Sequence, residues 1–238
     1  MRRHMFRWSP ARIIAGAFGS ISFIGSILLY LPWGHMPGQS ITYVDALYTA
    51  VSALCVTGLS IVDTAAVFNP FGQAILAVLI QVGGLGVSTM GAGVLLMLGR
   101  KVGIRQRNLI HDTMNLDSYS GVVRFLRTLF ATTVFIEVIG AFLGYFVFRR
   151  DYEMMESIGL SIFHSISSFN NAGLTILTKE RSMEMYAEDP FMLILTTALV
   201  FVGGLGFIVI RECWVNRFRW RKLSMHSRVS IFMAVFLL

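Results

Sequence analysis

Long apolar runs alternate along this chain with shorter, more polar stretches, and the alternation occurs twice. Four runs, at residues 13–31, 71–98, 128–148 and 191–210, are long enough to cross a bilayer as helices, and one charged residue, Glu137, lies inside them. Between the members of each pair lie residues 46–62 and 157–178. The second of these stretches is uncharged for twenty-two residues, yet ten of them are Ser, Thr, His or Asn. Lipid penalises such a composition, so protein is expected to shield it. The pattern predicts a short helix at about 44–54 and another at about 158–169, each followed by a loop that turns back instead of crossing.

The two halves also repeat one another. "DALYTAVSALCVTGLS" at 45–60 aligns with "LSIFHSISSFNNAGLT" at 160–175, and the helices that follow match at "NPF" (69–71) and "DPF" (189–191). They match again at "VGGLG", residues 82–86 and 202–206, with five extra residues in the second outer loop. The unit is helix, re-entrant loop, helix. The expected organisation is a first repeat over 1–98, a cytoplasmic linker over 99–127, a second repeat over 128–210, and a cytoplasmic linker with the start of a third repeat over 211–238.

Composition agrees, since 55% hydrophobic residues, 14% charged residues and a mean hydropathy of +0.67 exceed what a soluble core of this length hides. Charge then decides between spanning and re-entry. If both polar stretches dip in and return, the N-terminus, the 99–127 loop and the 211–228 tail share one side and hold sixteen of the twenty basic residues. The other side holds nine of the thirteen acids. The positive-inside rule therefore predicts re-entry and a cytoplasmic N-terminus in a multi-pass protein of the cell membrane. The net charge of +7 is explained by topology, and a nucleic-acid partner is not expected. Both repeats begin on the basic side, so they are parallel copies about an axis along the membrane normal. The fold class expected is an all-α membrane protein of helix, pore loop, helix repeats around a pore axis, potassium-channel-like.

That arrangement has a chemistry. A short helix descending from outside aims its C-terminal partial negative charge at a central cavity, which favours cations. The loop climbing back exposes carbonyl oxygens that replace an ion's hydration shell, and Gly58 and Gly173 supply backbone angles that other residues rarely adopt. Two such glycines at matching places in matching repeats are a far stronger signal than either alone.

These residues resemble the first half of the membrane subunit of the Trk/Ktr/HKT family of potassium transporters, and within it the bacterial Ktr-type subunit. The likeness rests on "DALYTAVSALCVTGLSIVDT", "LIQVGGLG" and "FHSISSFNNAGLTI". The resemblance implies four unequal repeats around one pore, each giving one filter strand. It assigns Cys55, Val56, Thr57 and Gly58 to the first strand and Asn170, Asn171, Ala172 and Gly173 to the second. K+ would be held by the carbonyls of Val56, Thr57, Gly58, Asn171, Ala172 and Gly173, with Na+ as a second ion. Cys55 stands where a small or hydroxylated residue is more usual, and Leu174 where Phe is common. The resemblance further implies a homodimer in membrane lipid on a cytosolic nucleotide-binding regulatory subunit, with no covalent cofactor. Arg105, Arg107 and Ile110 are candidate docking residues, because 99–115 mixes basic with apolar side chains.

The expected function is thus potassium uptake through a filter of backbone carbonyls, by a fragment of a four-repeat chain, since 226–238 reads as the opening of a third repeat's first helix. The alternatives are assembly of two copies to complete four repeats and a non-conducting membrane scaffold or assembly partner made of two repeats. Remaining features favour structural readings. The VGGLG glycines suit close helix packing more than hinging. Glu137 must face protein or water, with inter-repeat bonding favoured over ion contact. Asp45 and Asp63 flank the first outer entrance, where solvated charges are common. No nucleophile motif surrounds Ser165 or Ser88, so pairing with His164 does not indicate an enzyme. Cys55 and Cys213 fall near opposite faces, too far apart for a disulfide.

Overall fold

The computed structural model describes residues 10–87, 89–91, 122–177, 183–216 and 219–237. Its elements are α1 (Pro10–Tyr30), α2 (Tyr43–Leu54), α3 (Thr64–Val67), α4 (Pro70–Leu85), α5 (Val122–Phe148), α6 (Met154–Phe169), α7 (Pro190–Gly204), α8 (Phe207–Val215) and α9 (Met225–Leu237), with short 3-10 turns between them. Among the described residues there is no strand, only an isolated bridge between His35 and Phe68. The all-α architecture follows from the sequence pattern.

Each half is built in the same way. α2 packs between α1 and α4, α6 packs between α5 and α7, and the halves meet where α4 lies against α6. The starts of α4 and α7 share one device. Asn69 and Asp189 accept hydrogen bonds from the backbone N–H groups two and three residues on, and Pro70 and Pro190 begin the helices where a missing N–H costs nothing. Small residues set the helix spacing alike in both halves. A Cβ on Gly25 would stand 2.9 Å from a methyl of Leu79, and one on Gly140 would stand 2.9 Å from a methyl of Leu199. A single buried cluster, including Leu29, Phe68, Leu76, Phe148, Phe163 and Leu199, runs through both halves.

Two expected spans are continuous and two are not. Among the described residues, Arg12–Tyr30 and Val123–Phe148 are long and apolar enough to cross a membrane, while Pro70–Leu85 and Met225–Phe236 are shorter apolar helices. The run expected as one helix over 71–98 stops at Leu85, and the one over 191–210 bends by 99° between Pro190–Gly204 and Phe207–Cys213. The cause is local. Gly86 and Gly206 have φ of +83° and +81°, a conformation no helix interior contains and one that glycine adopts without a Cβ penalty.

The structure therefore divides the VGGLG glycines by role. A Cβ on Gly83 would run into the carbonyl of Leu54, and one on Gly203 into that of Phe169. These two glycines are packing residues, as expected. Gly86 and Gly206 instead end their helices, which hydropathy alone does not register.

Candidate functional site

The two short helices, α2 and α6, end in loops with the same backbone. Cys55 caps α2 with φ −84° and ψ 0°, and Asn170 caps α6 with φ −81° and ψ 1°. One residue later Val56 and Asn171 turn to φ +56° and +57°, and two residues after that Gly58 and Gly173 take φ +75° and +68°. Positive φ is uncommon outside glycine and strained for β-branched Val56, so surrounding structure must enforce it.

The enforcing contacts are also paired. The Thr57 amide donates to Ser52 O at 3.0 Å and the Ala172 amide to Ser167 O at 2.8 Å. Each of those serines then reaches across its loop. Ser52 Oγ donates to Leu59 O at 2.5 Å, and Ser167 Oγ to Leu174 O at 2.6 Å. The returning chain is thus stapled to the last turn of its own helix, and among the described residues no donor bonds the carbonyls of Val56, Thr57, Gly58, Asn171, Ala172 or Gly173. The two loops touch. A Cβ on Gly58 would stand 2.6 Å from Ala172 O and 3.4 Å from Gly173 Cα, and one on Gly173 would stand 3.6 Å from Gly58 Cα. Thr64 Oγ1 donates to Thr175 O farther along the same seam.

Beside the second loop lies a polar cluster that reading the sequence did not assemble. Asn170 Nδ2 reaches Ile166 O at 2.9 Å, Gln81 Oε1 at 3.0 Å and Glu137 Oε1 at 3.3 Å. The bond from Asn170 to Gln81 joins the two repeats, while that from Asn170 to Glu137 lies within the second. Gln81 was not singled out, and the only hint of it is a second Gln, after Gln73, inside a largely apolar helix. Next to Asn171 a cavity of about 390 Å³ is lined in part by Thr196, Thr197, Phe201 and Ala234.

Other candidates have local roles. Asp45 forms a capping box with Thr42 at the start of α2, and Asp63 caps α3 through the amides of Ala65 and Ala66. His164 Nε2 lies 3.0 Å from Thr196 Oγ1, while Ser165 Oγ donates to Glu137 O at 2.8 Å, so that histidine and serine are engaged with different partners. Cys55 and Cys213 are free thiols. Asp189 precedes the apolar helix α7, and backbone N–H donation from Met192 and Phe191, with the nearby Arg150 guanidinium at 2.7 Å, holds its carboxyl below the usual range. Arg105, Arg107, Ile110 and Ser88 lie outside the described residues.

Comparisons with known proteins bear on the whole chain. The model of the TrkH family, described as cation transport protein, matches residues 10–231. The chain is 34% identical over 225 residues to Ktr system potassium uptake protein B of Bacillus subtilis, covering 94% of this chain and 49% of that protein. It is 35% identical over 232 residues to potassium/sodium uptake protein NtpJ of Enterococcus hirae, covering 98% and 51%. Against Ktr system potassium uptake protein B of Vibrio alginolyticus the identity is 35% over 237 residues, covering 97% and 50%. The chain spans about half the length of the curated relatives it matches.

Proposed function

We propose, from the premise that this chain belongs to the TrkH family of cation transport proteins, that it is part of a potassium uptake membrane subunit in which K+ passes between backbone carbonyls. The ligating oxygens in this reading are those of Val56, Thr57 and Gly58 in one loop and Asn171, Ala172 and Gly173 in the other. The observation that carries it is the pairing of two loops with matched positive φ at 56 and 171 and at 58 and 173, in contact at their glycines, with these carbonyls bonded by no donor among the described residues. Such oxygens are free to replace the water shell of a cation, and irregular backbone at membrane depth is tolerated where it lines such a path. The C-terminal ends of α2 and α6 adjoin the loops and add partial negative charge. Na+ is proposed as a second ion, in keeping with the name of the Enterococcus relative.

The proposal extends to placement and partners. The basic residues gathered in these segments support a cytoplasmic N-terminus and a cytoplasmic 99–127 segment. There Arg105, Arg107 and Ile110 would meet a nucleotide-binding regulatory subunit, and the membrane subunit would pair as a homodimer. The test is growth of a bacterium lacking its own K+ uptake, at limiting K+. The chain would be expressed alone and also joined at residue 238 to the part of the Bacillus relative that the match leaves uncovered. Growth of the joined form, with 86Rb+ uptake that K+ suppresses, is the expected result. Correctly inserted protein that carries no ion in either form would refute transport and leave the scaffold reading.

A further inference from the structure

We propose that Glu137 is a positioning residue for the second loop: together with Gln81 it holds the Asn170 side chain, and thereby sets residues 171–173 against residues 56–58. The consequence for ion discrimination rests on the transport reading above; the positioning itself does not.

The argument begins with one nitrogen. Asn170 Nδ2 carries two hydrogens and faces three oxygens, those of Ile166 at 2.9 Å, Gln81 at 3.0 Å and Glu137 at 3.3 Å. The first belongs to its own helix, the second to α4 of the other repeat, and the third to α5. One amide group therefore ties three elements together at the residue from which the second loop departs. Glu137 is attached to α6 twice, since its backbone carbonyl also accepts from Ser165 Oγ at 2.8 Å. Two attachments five residues apart on α6 oppose sliding of that helix along α5. Glycines let the partners close in. A Cβ on Gly84 would overlap the Asn170 side chain, and one on Gly140 would overlap Ser165 Oγ.

A carboxyl group within a membrane span is costly unless it bonds protein or meets water, and here its oxygen is engaged by the loop's own capping residue. The corresponding place in the first repeat is built differently. Gly25 and Gly140 meet Leu79 and Leu199 in the same way, which sets Ser22 opposite Glu137 and Cys55 opposite Asn170. Cys55 is an exposed free thiol. The bonding is thus a property of the second loop, absent from the repeated framework.

Amide hydrogen exchange on the purified chain in lipid nanodiscs tests this directly. Glu137→Ala and Gln81→Leu should each speed exchange of the Asn171 and Ala172 amides by about tenfold, leave Thr57 unchanged, and be rescued to within about twofold by Glu137→Gln, which keeps an accepting oxygen at that place. Unchanged exchange at 171–172 in both Glu137→Ala and Gln81→Leu would overturn the proposal, as would equal acceleration at Thr57, which reports general loosening. Competition of Na+ with 86Rb+ uptake in the joined form is the second measurement. Exchange that moves as expected in a protein without ion uptake would sustain the positioning role and sink transport, whereas normal discrimination with unmoved exchange would do the reverse.

Discussion

Gly58 and Gly173 hold matching conformations in unequal space. Both have positive φ, so any side chain there is strained by about 1–2 kcal/mol. A Cβ on Gly58 also lands 2.6 Å from Ala172 O, whereas Gly173 leaves ordinary contact distance. Gly58→Ser and Gly173→Ser are both expected to weaken K+ over Na+ discrimination more than membrane abundance, with the larger loss at Gly58 because it must also push the facing loop away. Relative uptake of the two ions, normalised to protein in the membrane, measures this; equal discrimination in wild type and both variants would remove these glycines from the ion path. The glycines were legible because a Thr-Gly and an Ala-Gly recur at the same place in two repeats. The bond from Asn170 to Gln81 was not, since it joins side chains 89 residues apart whose register exists only once α4 lies on α6. Asp45 and Asp63 illustrate a different difficulty. Beside a cation path an acid invites an electrostatic reading, but a Thr three residues before Asp45 and a helix directly after Asp63 make caps of them.

Helices α4 and α7 have one plan and different chemistry at their first residue. Asn69 cannot titrate, while the carboxylate of Asp189 is stabilised by the Met192 and Phe191 amides and by Arg150. A carboxyl whose folded-state pKa is depressed stabilises the fold above its unfolded value of about 4, and the contribution is lost as pH falls through the folded value. Acidification through that window should fray the start of α7 and leave the start of α4 intact. Hydrogen exchange at Phe191 and Met192 against Phe71 and Gly72 reads the difference, and Asp189→Asn should abolish it. Fraying of both helices together would mean that acid acts elsewhere. Element boundaries were legible to within a few residues wherever polarity changes, as at the ends of α2 and α6. They were misjudged at Gly86 and Gly206, because the residues on both sides of each break are equally apolar and the break lies in a backbone angle.

For the molecule as a whole, the exposed apolar side chains of α1, α5 and α7, among them Phe23, Val138, Phe142 and Ile194, suit a lipid exterior. In the proposed topology the sixteen basic residues expected on one side would mark the face available to a cytosolic partner. Substituting Arg105, Arg107 and Ile110 together by Ala is expected to weaken capture of a Ktr-type nucleotide-binding regulator by about tenfold or more, since both charge and apolar contact are removed. Ion discrimination should stay as it was, because in the proposed topology the loops lie toward the other face. Capture and ion competition on the same variant test the pair, and undiminished capture would return 99–115 to a topology-setting role. The repeat was readable from one sequence, since it is a property of long stretches. What joins the copies was not, being a matter of single contacts.

The one-sided attachment of Asn170 has a mechanical consequence. If the two strands press on one ion as proposed, they would behave like springs in series, and the softer one would take up most of any change in gap. The second strand is anchored to three helices through its first residue, whereas the first is held by the staple to its own helix. Were the gap on the proposed ion path to widen for a larger ion or close on a smaller one, most of the travel would fall to residues 56–58. The compliance of this half of the proposed ring would then reside in the first repeat, and its fixed reference in the second.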